Sequence, residues 1–337
     1  SRNDITASVT VAEGGEVSAT GTDSNGITLV PRPERYRVYD DEASFPTDSL
    51  PIDVFVTLEQ GSRLYSVQGQ AISDFEGEME GQGHNLTLFV GGMIDVGNPA
   101  GVSVQMGNAA DTLILAPTYS IAGIVDGGTG EDMFVLGGEG EGTFDIGLVD
   151  MNGMAGASDR FVNFENFAKR GTGTWTLTGT TIDQFANGIS VEEGQLNLAS
   201  DLQGINFYLS GGSLGGSGRS GDVVSTGGVI APGNSIGTLT TGSLTLDAAS
   251  VYEVEVDDTG ASDLLVVNGS VALGGASLSV LETGDFTGDD PFNYLIIDND
   301  ADDAINGTFG TVTNQFAFLT PTVSYTGGDG NDVLLTL

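Results

Sequence analysis

Gly107-Asn-Ala-Ala-Asp111-Thr-Leu113-Ile-Leu115 is followed, 21 residues later, by Gly128-Thr-Gly-Glu-Asp132-Met-Phe134-Val-Leu136. The shared pattern is a glycine, three variable residues, an aspartate, and then a short run in which every second residue is a large apolar one. Alternation at period two marks a β-strand with one face buried. Repetition at a fixed interval marks chain passes that stack on one another, as in solenoids. Stacking in register sets Leu113 beside Phe134 and Leu115 beside Leu136 as ladders in the interior, and predicts about 21 residues per pass here.

Working outward, comparable segments recur: GTGTWTLTGT (171–180), GQLNL (194–198), GSLTL (242–246), VYEVEV (251–256), SVAL (270–273) and SLSVL (277–281). Each is short and closed by Gly, Asn or Asp, which are turn residues. The chain of 337 residues holds 53 glycines, and an interior glycine costs a helix about 1 kcal/mol relative to alanine. The expected fold is therefore all-β, with strands of a few residues and dense turns. Three compositional regions follow: 1–60, which carries the Pro-, Arg- and Tyr-bearing insert PRPERYRVYDDEASFPTDSLP (31–51); 61–200, with the Asp-bearing repeats; and 201–337, with the Gly/Ser-rich turn SGGSLGGSGRSGD (210–222).

The charge narrows function. Nine Lys and Arg stand against 47 Asp and Glu, a net charge of −38, which excludes binding to nucleic acid through a basic surface. There is no cysteine, so disulfides, thiol nucleophiles and cysteine-based zinc sites are excluded together. His84 is the single histidine, Lys169 the single lysine, and after Arg219 no basic residue follows. No run approaches the ~20 apolar residues of a membrane-spanning helix.

Residues 165–246 (ENFAKRGTGTWTLTGT, GISVEEGQLNLAS and GGSLGGSGRSGDVVSTGGVIAPGNSIGTLTTGSLTL) resemble the C-terminal passenger region of bacterial autotransporters, proteins of type V secretion. The likeness continues through 252–281 to GGDGNDVLLTL (327–337), and APGNSIGTLT (231–240) is its most specific part. The resemblance implies a right-handed parallel β-helix whose C-terminal portion, 201–337, acts as a folding template. It further implies export through the periplasm to the bacterial cell surface and a natural link to an outer-membrane β-barrel. The function expected is non-enzymatic: adhesion to a host or bacterial surface ligand, self-association, or a structural surface scaffold.

Three constellations could carry chemistry. Gly127-Gly128-Thr-Gly130-Glu-Asp132-Met-Phe134-Val and Gly327-Gly-Asp329-Gly330-Asn-Asp332-Val-Leu334-Leu fit the nonapeptide G-G-x-G-x-D-x-U-x, in which turning glycines and an aspartate supply oxygens to calcium. Asp111 would stack on Asp132, so Asp111, Asp132, Gly128 and Gly130 form one candidate Ca2+ site, and Asp329 with Asp332 a second. The other reading of each is a turn whose Asp caps backbone amides. Arg35, Tyr36, Arg37 and Tyr39, with Phe45 and Phe55 nearby, form a candidate ligand contact, because Tyr and Arg dominate binding hot spots. The serines of GGSLG (211–215) and GNSIG (233–237) lack the following helix that a nucleophile elbow needs. A calcium-dependent filament subunit and a carbohydrate-active enzyme on the same fold are the competing functions.

Overall fold

In the computed structural model, described over residues 6–19, 27–29, 53–66, 70–74, 85–150, 159–180, 185–286, 292–300, 303–316 and 319–337, the chain is all-β. The one helical element among these residues is a 3-10 turn at Ile146–Leu148, and none of their helices is long and apolar enough to cross a membrane. The chain forms two compact units: Ser1–Gly142 with Gly147–Ala168 and Ile182–Gln184, and Thr143–Ile146 with Lys169–Thr181 and Phe185–Leu337.

In the first unit, one pass of chain contributes a strand to each of three sheets in turn. Asn85–Val90, Met93–Val96 and Val102–Gln105 make one pass, and Thr112–Leu115, Ser120–Ile121 and Ile124–Asp126 the next. Each strand pairs in parallel with its equivalent in the following pass. Alternation produces the packing: Val56, Leu88, Leu113 and Phe134 stack as one inward ladder, and Leu58, Val90, Leu115 and Leu136 as another, all fully buried. The expected partners Leu113/Phe134 and Leu115/Leu136 are in register.

The interval of 21 residues describes that one step and not the whole chain. Paired residues are 25 apart between Leu88 and Leu113, 32 between Val54 and Leu86, and 47 between Ala7 and Val54. These strands stay within four to six residues while the connections vary far more, because a surface loop adds closure entropy only slowly as it lengthens. In this unit stacking also departs from chain order where Phe161–Val162 lies between Ile124–Asp126 and Val149–Asp150, in parallel with both. Phe134 in this ladder lies inside an aromatic cluster, edge-on to Phe161, Phe164 and Phe167 at centroid distances of 5.0, 5.7 and 5.0 Å.

The second unit is built the same way. Its longest inward ladder runs Trp175, Leu196, Leu214, Ile230, Tyr252, Leu278, all fully buried, and the Tyr252 hydroxyl donates to the Ile296 carbonyl at 2.5 Å. The next rung is Val312, which is 36% exposed, and all of Thr311–Asn314 is exposed. A parallel arrangement does not hold throughout. The final strand, Asp332–Thr336, pairs antiparallel with both Asn293–Asn299 and Thr322–Gly327, so GGDGNDVLLTL forms a hairpin rather than another stacked pass.

Truncating Phe134 to alanine removes the centre of the aromatic cluster, and large core deletions of this kind cost about 3–5 kcal/mol. Urea unfolding of Phe134→Ala should show that loss, whereas Phe55→Ala, at an exposed position, should stay within ~0.5 kcal/mol of the parent.

Candidate functional site

The motif aspartates sit one residue ahead of the strands Thr112–Leu115 and Met133–Leu136, where the chain enters a sheet and its amides face the neighbouring pass. Asp132 Oδ1 accepts from the backbone N–H of Asp111 at 2.7 Å, and Asp111 Oδ1 accepts from that of Leu86 at 2.7 Å. Glu165 continues the series by accepting from the Asp132 N–H at 2.7 Å. Each acid thus caps an amide of the preceding pass. Asp126 serves the adjoining corner, where its Oδ1 accepts from the Gly128 N–H at 3.0 Å and from Asn163 Nδ2 at 2.7 Å.

The motif glycines answer to space. A Cβ on Gly128 or Gly130 would lie 1.8 or 2.0 Å from the carbonyl oxygens of Gly107 and Ala109 in the pass below, so only glycine permits this approach. Asp132 is fully buried, and burial lifts its carboxyl to about 7, with the Asp111 amide opposing and Glu165, Asp126 and Glu131 adding to the rise.

The second calcium candidate is placed in the C-terminal hairpin turn, where Asp329 is exposed and Asp332 buried. Asp332 Oδ1 accepts from the Asn299 N–H at 3.0 Å. Among the described residues, no three His, Cys, Asp or Glu side chains are grouped so as to hold a metal ion. Arg35, Tyr36, Arg37 and Tyr39, together with Phe45 and His84, lie outside the described residues. Of that aromatic and basic region, Phe55 is 41% exposed, and Arg63 pairs with Asp95 at 2.7 Å while lying over the Tyr65 ring.

Three features escaped the reading of the sequence. Glu165-Asn-Phe167-Ala-Lys169 repeats the spacing of Asp132-Met-Phe134-Val-Leu136 at an interval of 33, hidden by the longer connection. Lys169 therefore occupies the position held earlier by Leu115 and Leu136, and it is fully buried. Its three N–H bonds go to the carbonyls of Arg170, Gly171 and Glu193 at 2.9, 2.6 and 2.9 Å. Burial pushes the ammonium down to about 8 against the pull of Glu193, so it stays charged at neutral pH. Gly194, at φ +67°, makes room, since a Cβ there would come within 2.6 Å of Nζ. Lastly, Asp263 clamps the APGNSIGT turn: Oδ1 accepts from Gly237 N–H and Oδ2 from Glu255 N–H, both at 2.8 Å, and its burial raises the carboxyl to about 7. Gly216 and Gly233 exchange backbone hydrogen bonds across the same turn.

No family model matches the chain, and no curated protein matches it either.

Two outcomes are expected. The folded carboxyls of Asp132 and Asp263 lie above the ~3.9 of an unfolded aspartate. Between about pH 4 and 7 the folded state then binds more protons, and stability falls as pH rises. Urea midpoints measured from pH 5 to 8 should decline less steeply for Asp132→Asn than for the parent. Lys169→Met removes the donor shared by three part-buried carbonyls, each bond worth up to about 1–3 kcal/mol, and should destabilise the second unit. In the parent, an amine-directed reagent should modify this lysine only after denaturation, as read by peptide mass spectrometry.

Proposed function

We propose that the chain is a secreted, surface-displayed passenger segment of the autotransporter type, a right-handed parallel β-helix acting as a non-enzymatic scaffold for adhesion or self-association. The observation that carries this reading is the use made of the buried polar groups. Asp111, Asp132, Glu165, Asp263 and Lys169 are each engaged with backbone amides or carbonyls, which supports a structural role for the groups that an enzyme would assign to proton transfer. Stacked parallel passes and the place of APGNSIGT in a clamped turn are in keeping with the resemblance of residues 165–246. A strongly acidic surface keeps like molecules apart at low ionic strength and lets them approach as salt screens the charge.

The reading predicts a displayed or bead-bound chain that promotes cell or bead clustering, or attachment to a surface ligand, more strongly at about 0.15 M salt than at about 0.01 M. Sedimentation velocity across concentration reports the same association in solution. Release of reducing sugars from a panel of polysaccharides, without clustering or attachment, would replace it with the carbohydrate-active alternative.

A further inference from the structure

The parallel stacking of the second unit ends in an open sheet edge. Thr311–Asn314 closes the 8-stranded sheet and, among the described residues, pairs on one side only, with Ser277–Glu282. The Gly310 N–H donates to the Ala276 carbonyl at 2.8 Å, so the even-numbered residues here turn their backbone groups toward that neighbour. Alternation then directs the N–H and C=O of Thr311 and Thr313 outward. All four side chains are exposed, and the inward ladder that begins at Trp175 is left uncovered at Val312. Such edges are ordinarily blunted by charge, proline or a bulge. The opposite edges follow that habit: Glu141–Asp145 bears two acids at the other edge of the same sheet, and Asp201–Leu202 bears one at an edge of the 7-stranded sheet.

Around this edge the charge disappears. Residues 304–328 hold no Asp, Glu, Lys, Arg or His, in a chain of net charge −38. Of the described residues in that span, Phe309 and Gly327 alone are buried. Tyr325 Oη accepts from the Phe309 N–H at 2.9 Å, which joins Thr322–Gly327, the other edge of the 7-stranded sheet, to the same uncharged surface. The 25 residues of the span fall within the ~20–30 a side of a standard interface. Two copies of this chain repel wherever their acidic surfaces meet, and a neutral patch lets them touch without that cost. A cationic partner would be drawn to the acids instead, which singles out a second copy as the occupant.

We propose that Thr311–Asn314 is the interface of a two-fold dimer, in which it pairs antiparallel with the same strand of a second copy. The register follows from the groups left open. An axis through Val312 sets Thr311 opposite Thr313 of the second copy, as a hydrogen-bonded pair on each side of the axis. Val312 then faces Val312 as the close, non-hydrogen-bonded pair. Opposed residues share a face of the sheet, so the two valines cover each other where the inward ladders end, and β-branched pairs stabilise such contacts. Because the same patch serves both copies, the contact closes at the dimer. The inference rests on the self-association branch of the proposed function and names its surface.

Sedimentation velocity of the full chain across concentration, at about 0.15 M salt, should show a monomer–dimer equilibrium that stops at twice the monomer mass. Thr313→Pro removes an outward donor from each hydrogen-bonded pair while sparing the backbone pairing with Ser277–Glu282, and should raise the dimer dissociation constant at least ~10-fold. Val312→Asp opposes like charges across the axis and should weaken the dimer as well. Tyr208→Ala, at an exposed aromatic of the same unit, should leave it unchanged. The chain has no cysteine, so Val312→Cys supplies a reporter that does not depend on weakening the strand. Cα atoms ~4.5 Å apart in a non-hydrogen-bonded pair suit a disulfide, and oxidation with diamide should trap a covalent dimer, whereas Tyr208→Cys should not. Association that Thr313→Pro and Val312→Asp leave intact, growth past the dimer, or failure of Val312→Cys to be trapped overturns this interface and leaves self-association standing. A parent that stays monomeric at every concentration overturns the interface and self-association together, and attachment to a surface ligand then decides the proposed function alone.

Discussion

Everything in this protein depends on giving hydrogen-bond partners to backbone groups at the corners between stacked strands. Within the strands, parallel pairing satisfies N–H and C=O together, but at each corner the chain turns and its amides lose their regular partners. A buried amide without an acceptor costs about as much as a lost hydrogen bond. The chain answers with carboxylates at the entry to several strands: Asp111, Asp132 and Glu165 in the first unit, and Asp222 and Asp263 in the second, where Asp222 Oδ1 accepts from Ser243 N–H at 2.7 Å. Where the unmet groups are carbonyls instead, Lys169 supplies the donors.

This arrangement links composition to architecture. Glycine is abundant because passes approach until carbonyl and Cα nearly touch, as Gly128 does over Gly107. Some of the acidity is structural, since aspartate is the shortest side chain that can reach a neighbouring amide with a carboxylate oxygen. Much of the remainder covers the outside, where net charge favours solubility and opposes lateral association. Acids drawn inward next to other acids, as Asp132 is beside Asp126, Glu131 and Glu165, hold their protons more tightly, which joins corner capping to pH.

The interior was legible wherever strands were short and evenly spaced. Leu113, Leu115, Phe134 and Leu136 could be paired from the sequence because 21 residues separate one repeat from the next. Glu165 and Lys169 belong to the same series, yet an interval of 33 disguised them. A lysine at a core position contradicts any reading by hydrophobicity. Only the convergence of the Arg170, Gly171 and Glu193 carbonyls explains it.

The nonapeptide resemblance of 327–335 shows where such reading stops. The same glycine and aspartate spacing appears at 127–135 in a stacked parallel pass and at 327–335 in an antiparallel hairpin. By itself the sequence determined the all-β class, the inward ladders and the acidic, thiol-free surface, because these follow from local alternation, turn chemistry and composition. Tertiary structure alone decided which passes are neighbours, which acids cap which amides, and that the last strand reverses direction. Those outcomes depend on contacts between residues tens of positions apart, set by loop lengths that carry no periodic signal.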